Sequence, residues 1–223
     1  MIQELQTRYG TMFVPDTDSG QYWWLANIAA SPEDEFIEKV CELLDERPTG
    51  IAIDVGANFG CWTLALRQHA KFVIAFEPQR CCHDLIQQSL VANKTKNVIL
   101  YNMAVGEKSG QVLVPNLDIE MASNFGGVSL LETSQDVETY TVDQIALDDS
   151  GAMLRPASFI KIDVEGGELA VLRGARNLIA ADRPILMLEM DHPLTDLVAL
   201  QQWLLDANYA FDQYGPNYLC MPL

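Results

Sequence analysis

The chain has 223 residues and carries 14 Lys and Arg against 31 Asp and Glu, a net charge of −17. That length suits one α/β domain over residues 1–223, and the acidity lacks the basic footprint that general binding to nucleic acid or to an anionic membrane requires. Cys41, Cys61, Cys81, Cys82 and Cys220 form no C-x-x-C pair, which excludes a zinc knuckle and a disulfide framework; with no basic-then-apolar leader and no membrane-length run, a cytoplasmic protein with reduced thiols is expected.

Residues 1–30 mix Tyr9, Phe13, Tyr22, Trp23 and Trp24 with Pro15, Asp16, Asp18 and Gly20, and read as a hairpin or irregular lid, the two tryptophans packing on the domain. Ser31-Pro32-Glu33-Asp34 predicts a helix start with serine as N-cap and proline in the first helical position. Phe36, Ile37, Val40, Leu43 and Leu44 form the buried stripe of that helix, and Pro48-Thr49-Gly50 ends it.

Ile51-Ala52-Ile53-Asp54-Val55-Gly56-Ala57-Asn58-Phe59-Gly60 is a buried strand running into a glycine turn, followed by a helix from Cys61. A dinucleotide fingerprint fails here in either register, since Asn58 and Cys61 fall on glycine positions and Asp54 would repel phosphates. A carboxylate at this strand tip suits a cationic ligand, the amino-acid end and sulfonium of S-adenosylmethionine. The bland alternative is an ordinary strand and turn.

A second strand, Phe72 to Phe76, closes with Glu77-Pro78, and Glu77 stands 21 residues beyond Gly56, near the spacing at which a strand-tip acid meets ribose hydroxyls. An acid favoured at the helix start by the macrodipole is the competing reading. After a helix from Arg80 comes a third strand, Val98 to Asn102, and Asn102-Met103-Ala104-Val105-Gly106 follows its tip, where an adenine edge would lie; a simple turn reads equally well. Residues 107–157 are the least regular part and are expected to form a variable insertion on the substrate side, with strands near 111–115 and 138–142 and a mobile loop from Asn116 to Thr133 that contains Asn124-Phe125-Gly126-Gly127.

Ser158 to Ile162 is a further strand, ending in Asp163-Val164-Glu165-Gly166-Gly167-Glu168 and placing carboxylates at the edge where open α/β sheets bind ligands. Leu169, Leu172 and Ala175 continue as a helix toward Asp182, the strand Ile185 to Glu189 follows with His192 beyond it, and an amphipathic helix from Asp196 to Asn208 leads to a terminal hairpin.

Over roughly residues 31–190 the chain resembles the FkbM family of S-adenosylmethionine-dependent methyltransferases. The resemblance rests on Ile53-Asp54-Val55-Gly56-Ala57-Asn58-Phe59-Gly60, Ala75-Phe76-Glu77-Pro78, Asn102-Met103-Ala104-Val105-Gly106, Ile160-Lys161-Ile162-Asp163-Val164-Glu165-Gly166-Gly167-Glu168 and Pro184 to Glu189. Departures are Val142 in place of the usual leucine of Thr-Leu-Asp, and Gly167 where alanine is common. The resemblance implies a class I methyltransferase (Rossmann-like) fold, a seven-stranded sheet, parallel with a C-terminal antiparallel hairpin and helices on both faces. It implies that Asp54, Gly56, Ala57, Asn58 and Gly60 surround the methionine portion with Asp163 nearby, that Glu77 and Pro78 hold the ribose side, and that Asn102, Met103 and Ala104 border the adenine. It also suggests methylation of a hydroxyl on a small molecule or glycan.

Such a transfer needs alignment and a group to receive the hydroxyl proton, for which the sequence offers Asp163 or Glu165 first and His192 second. Glu165 as a ligand of backbone amides in the next turn, and His192 as a plain loop histidine, are the alternatives. No metal is expected, because no ligand cluster beyond these acids is visible. A homodimer is compatible with the sequence. A non-catalytic S-adenosylmethionine-binding module and, less well, a nicotinamide oxidoreductase are the competing functions.

Overall fold

In the computed structural model, which describes residues 1–46, 50–121, 123–131, 137–190 and 192–223, the expected amino-terminal hairpin forms from β1 (Ile2–Thr7) and β2 (Gly10–Pro15), paired antiparallel. A short helix, α1 (Tyr22–Asn27), follows, then α2 (Asp34–Asp45). The alternating strand and helix segments come next: β3 (Ile51–Val55), α3 (Cys61–Leu66), β4 (Phe72–Phe76), α4 (Arg80–Ala92) and β5 (Val98–Tyr101). Short β6 (Ala104–Val105), β7 (Gly110–Pro115) and β8 (Thr139–Ile145) form a separate three-stranded sheet within the irregular region. After a 3-10 segment (Leu147–Leu154), β9 (Ala157–Ile162), α5 (Glu168–Gly174), α6 (Arg176–Asp182), β10 (Ile185–Glu189), α7 (Leu197–Asp206), β11 (Tyr209–Tyr214) and β12 (Asn217–Pro222) complete the chain.

The main sheet has the order β11-β12-β10-β9-β3-β4-β5. Five adjacent strands, β10, β9, β3, β4 and β5, run parallel, and the terminal hairpin adds β12 antiparallel to β10. Parallel neighbours need helical crossovers, which cover both faces and explain why these strands are mostly apolar, with Asp54 in β3 and Ser158 and Lys161 in β9 as polar interruptions. Successive residues point to opposite faces: Ala52, Val73, Ala75, Phe159 and Met187 join the core under α2, α3 and α4, whereas Ile53, Ile74, Phe76, Ile160 and Leu188 pack with residues of α5, α6 and α7. Chain winding reverses between β3 and β9, so their carboxyl ends flank the crevice in which such sheets bind ligands.

The free edge of β2 is closed by side chains rather than a strand. Asn93 Oδ1 accepts from the Thr11 N–H at 3.0 Å, its Nδ2 donates to the Thr11 carbonyl at 2.7 Å, and Ser89 Oγ accepts from the Phe13 N–H at 3.0 Å. No helix among the described residues is long and apolar enough to cross a membrane.

Several sequence expectations are corrected. The helix expected from Ser31 starts at Asp34, because Ser31 Oγ accepts from the Glu33 N–H at 3.2 Å and the Ser31 carbonyl from the Asp34 N–H, closing a turn ahead of it. Of its expected end, Pro48 and Thr49 lie outside the described residues. Trp23 and Trp24 are not buried in the domain; they meet edge to face at 5.3 Å and stay 55 % and 40 % exposed, while Leu25, next in the helix, is buried. The single helix expected after Glu168 is two, α5 and α6, divided after Gly174. The part of the expected mobile loop at 123–131 is pinned: Phe125 is fully buried, stands edge to face with Phe59 at 6.0 Å, donates its N–H to Asp18 Oδ1 and accepts from Gln79 Nε2 at 2.8 Å.

Candidate functional site

The glycine turn after β3 is shaped by contact from below. Gly56 has φ +80, and a Cβ there would lie 1.8 Å from the Asp163 carbonyl oxygen, so neither the conformation nor the space admits a side chain. The N–H groups of Gly56 and Ala57 both donate to the Phe76 carbonyl, tying the turn to the tip of β4. Asp54, expected beside a cationic ligand, lies under this turn with no exposed surface. Its Oδ2 accepts from Thr63 Oγ1 at 2.5 Å and its Oδ1 is 3.4 Å from Lys161 Nζ, the residue opposite it on β9. Lys161 is 2 % exposed, donates to the Gly56 carbonyl at 2.7 Å and pairs with Asp163 Oδ2 at 3.1 Å. Burial works against its charge, but Asp163, Asp54 and Glu33 outweigh it and hold the ammonium above its ordinary pKa.

At the neighbouring strand tip Glu77 is 3 % exposed yet borders the cavity. Its two oxygens accept from the N–H groups of Asn58 at 2.7 Å and Gln79 at 2.8 Å. Burial pushes its pKa up to about 8, and those two backbone donors pull the other way. A carboxylate has about four acceptor positions, so both oxygens can still receive hydroxyls. Asn102 does not border the cavity; its Nδ2 donates to the carbonyls of Glu77 and Pro78 at 2.9 and 3.0 Å and so fixes that tip, while Met103 and Ala104 form the wall. Ala57 and Gly60 likewise shape the turn without bordering the cavity, whereas Gly56, Asn58 and Pro78 do border it.

Asp163, Glu165 and Glu189 gather at the tips of β9 and β10, each bringing one carboxylate oxygen within 4.8 Å of the others, a convergence that sequence alone did not reveal. Backbone amides of this turn are bound by Glu168. That side chain is 1 % exposed, accepts from the N–H groups of Val164 and Gly166 at 3.3 and 3.0 Å and from Thr195 Oγ1 at 3.1 Å, and its pKa is raised by burial. His192 stands behind Glu165 rather than on the cavity wall, its Nε2 3.9 Å from Glu165 Oε2 and its Nδ1 accepting from the Leu194 N–H at 3.2 Å.

Sequence reasoning missed three participants. Glu33, read only as part of a helix start, lines the cavity and accepts from Trp62 Nε1 at 2.9 Å and Asn217 Nδ2 at 2.6 Å. Burial raises its pKa, aided by the charge of Asp163. Asn217 pairs with Glu189 across the β10–β12 ladder, and a signal existed in the two-residue period that puts Asn217 and Leu219 on one face. Asp18 is 5 % exposed and joins two distant segments, accepting from the Gln21 and Tyr22 N–H groups and from that of Phe125. No local pattern marks it.

Glu33, Gly56, Asn58, Glu77, Asp163, Glu165, Glu189 and Asn217 border one cavity of about 1460 Å³ at the carboxyl edge of the sheet, with Trp24, Ile28, Val128 and Leu130 also on its wall. The donor set suits S-adenosylmethionine: a buried acid for ribose hydroxyls, Pro78 and Met103 for a flat base, and carboxylates for the cationic end. The family model for the methyltransferase FkbM domain matches residues 54–211. No curated protein sequence matches the chain. Among solved structures it is similar to a methyltransferase FkbM from Methylobacillus flagellatus KT, at 22% identity and a TM-score of 0.56, over 77% of this chain and 43% of that one. It is also similar to precorrin-6y C5,15-methyltransferase from Geobacter metallireducens GS-15 (12% identity, TM-score 0.50, 84% and 86% covered). An rRNA methylase from Streptococcus thermophilus follows (16% identity, TM-score 0.50, 85% and 94% covered). These structural likenesses show the fold, and the chain spans less than half the length of the FkbM structure. The family match covers more than half of the chain and takes in the glycine turn, Glu77 and the acidic strand tips, so the chain belongs to the FkbM family of methyltransferases, with S-adenosylmethionine as its cofactor.

Proposed function

We propose that the protein methylates a hydroxyl oxygen of a small molecule or sugar. The observation that carries this reading is the single cavity that runs from Glu77 to the carboxylates of Asp163 and Glu165, leaving room beside a cofactor for an acceptor. The cofactor, when bound, supplies an electrophilic methyl group on a sulfonium. Glu77 accepts from its ribose hydroxyls, and Pro78, Met103 and Ala104 border its base.

Glu165 takes the hydroxyl proton in this reading. Asp163 is committed to Lys161 at 3.1 Å and serves better to orient, whereas Glu165 sits on the cavity wall with His192 behind it. The transfer proceeds without a metal ion, the acidic end being matched to cationic organic groups. The charge of −17 supports an acceptor that is neither nucleic acid nor an anionic membrane surface, reached in the cytoplasm by a single domain, alone or as a homodimer.

The test is incubation with S-adenosylmethionine and a library of sugars and small hydroxyl compounds, reading release of S-adenosylhomocysteine and locating the new methyl group by mass spectrometry. A methyl ether is the expected product. Cofactor binding with no transfer to any acceptor would identify a binding module instead, and methylation at nitrogen or carbon would remove the hydroxyl assignment.

A further inference from the structure

One half-buried carboxylate on the cavity wall has no part in the scheme above. Glu33 precedes α2 and faces the side of the sheet that carries Lys161, Asp163, Glu189 and Asn217. Its Oε1 receives the Asn217 amide and its Oε2 the Trp62 indole, at 2.6 and 2.9 Å. These two donors hold the carboxylate in one place.

They also fix the orientation of Asn217. With Nδ2 turned to Glu33, the Oδ1 atom is an acceptor; Asn217 is 3 % exposed, and Oδ1 has no hydrogen-bond partner among the described residues. Buried acceptors are satisfied in the great majority of proteins, so an orphan bordering a cavity marks the place of a ligand donor. The charge around it points the same way. Glu33, Asp163, Glu165 and Glu189 line this end of the cavity, and Lys161 is the cation in contact with Asp163. A ligand group suited to this surplus is positive and offers several N–H donors.

An ammonium meets both requirements, and the cofactor carries one. Glu77 sits on the β4 side of the turn 56–58 and Glu33 on the side of β12, so a cofactor whose ribose lies at Glu77 extends its amino-acid end across that turn toward Glu33. We infer that Glu33, together with Asn217 Oδ1, binds the α-ammonium of S-adenosylmethionine. This assignment rests on the placing of the ribose at Glu77.

Calorimetry with two ligands tests it. S-adenosylhomocysteine retains the ammonium, and 5′-methylthioadenosine keeps the nucleoside but lacks the amino-acid end. Glu33→Gln preserves shape and should weaken S-adenosylhomocysteine by about 10- to 100-fold while leaving 5′-methylthioadenosine within about twofold of the wild type. Should Glu33→Gln not fold, Asn217→Ser carries the same comparison, with the same selective loss expected. Equal weakening of both ligands would make Glu33 a structural residue and overturn the assignment, as would unchanged affinity for S-adenosylhomocysteine. Failure of the wild type to bind either ligand would overturn the cofactor reading of the cavity and this assignment with it, whereas wild-type binding of both with no loss in the variants overturns this assignment alone.

Discussion

Lys161 donates from Nζ to the Gly56 carbonyl at 2.7 Å, so a side chain of β9 carries the turn that follows β3. The same ammonium faces Asp54 at 3.4 Å and Asp163 at 3.1 Å.

Removing that cation strands two carboxylates. Lys161→Met is expected to destabilise the fold by about 3–5 kcal/mol, the range for breaking a buried pair from one side, measured by urea unfolding. It should also weaken S-adenosylhomocysteine. A variant with wild-type stability would mean that solvent already screens the group.

The turn itself admits no side chain. Gly56→Ala combines a positive φ with a clash against the Asp163 carbonyl and should abolish cofactor binding. Gly151 also has positive φ, at +63, but nothing lies within 4 Å of its would-be Cβ, so Gly151→Ala should cost only the conformational part, about 1–2 kcal/mol, and leave binding intact. Equal thermal shifts in the two variants would contradict the role of the close approach at Gly56.

Glu77 makes stability depend on pH with a definite sign. Its folded pKa, about 8, lies above the ordinary value of 4.5, so between those values the folded chain retains a proton that the unfolded chain has released. Stability from this group is therefore present at low pH and lost as pH rises from about 4.5 to about 8. Glu77→Gln should flatten that slope in ligand-free unfolding curves recorded across the window, and should weaken S-adenosylhomocysteine by about 1–3 kcal/mol. Parallel slopes in variant and wild type would show that Glu77 is already ionised.

The converging acids at Asp163, Glu165 and Glu189 invite a metal test. Methyl transfer should survive dialysis against a chelator unchanged. Activity lost to the chelator and restored by Mg²⁺ would assign these carboxylates to a cation instead.

Asp18 links α1 to the segment around Phe125 through both carboxylate oxygens. Asp18→Ala leaves three N–H groups without this acceptor. Faster amide exchange at Gln21, Tyr22 and Phe125 together is the expected outcome, and protection lost at one segment alone would show that the two are held separately.

The main sheet was legible because its strands are apolar on both faces, and period and run length carry that signal without tertiary help. The tips that bear Gly56, Glu77 and Asp163 were legible for the same reason, being the points where apolar runs end. What each tip residue faces was not. Asp54 was read as meeting a cation or repelling phosphates directly, yet its partner Lys161 is 107 residues away and appears only when β3 and β9 lie side by side. Glu33 reads as a local helix-start feature, since capping accounts for it without a cavity. Asn124 to Gly127 looked free because glycine and asparagine dominate locally, whereas the burial of Phe125 depends on Phe59 and Asp18 far upstream.

The contact of Glu33 with Asn217 spans 184 positions, and closing so long a segment is an entropic cost that only the finished sheet can offset. A nascent or truncated chain that has formed the five parallel strands but not β12 would possess the glycine turn and Glu77 yet lack one wall of the acidic end. If Glu33 and Asn217 hold the ligand as inferred above, full affinity requires the docked terminal hairpin, and ligand binding stabilises chains in which it has docked.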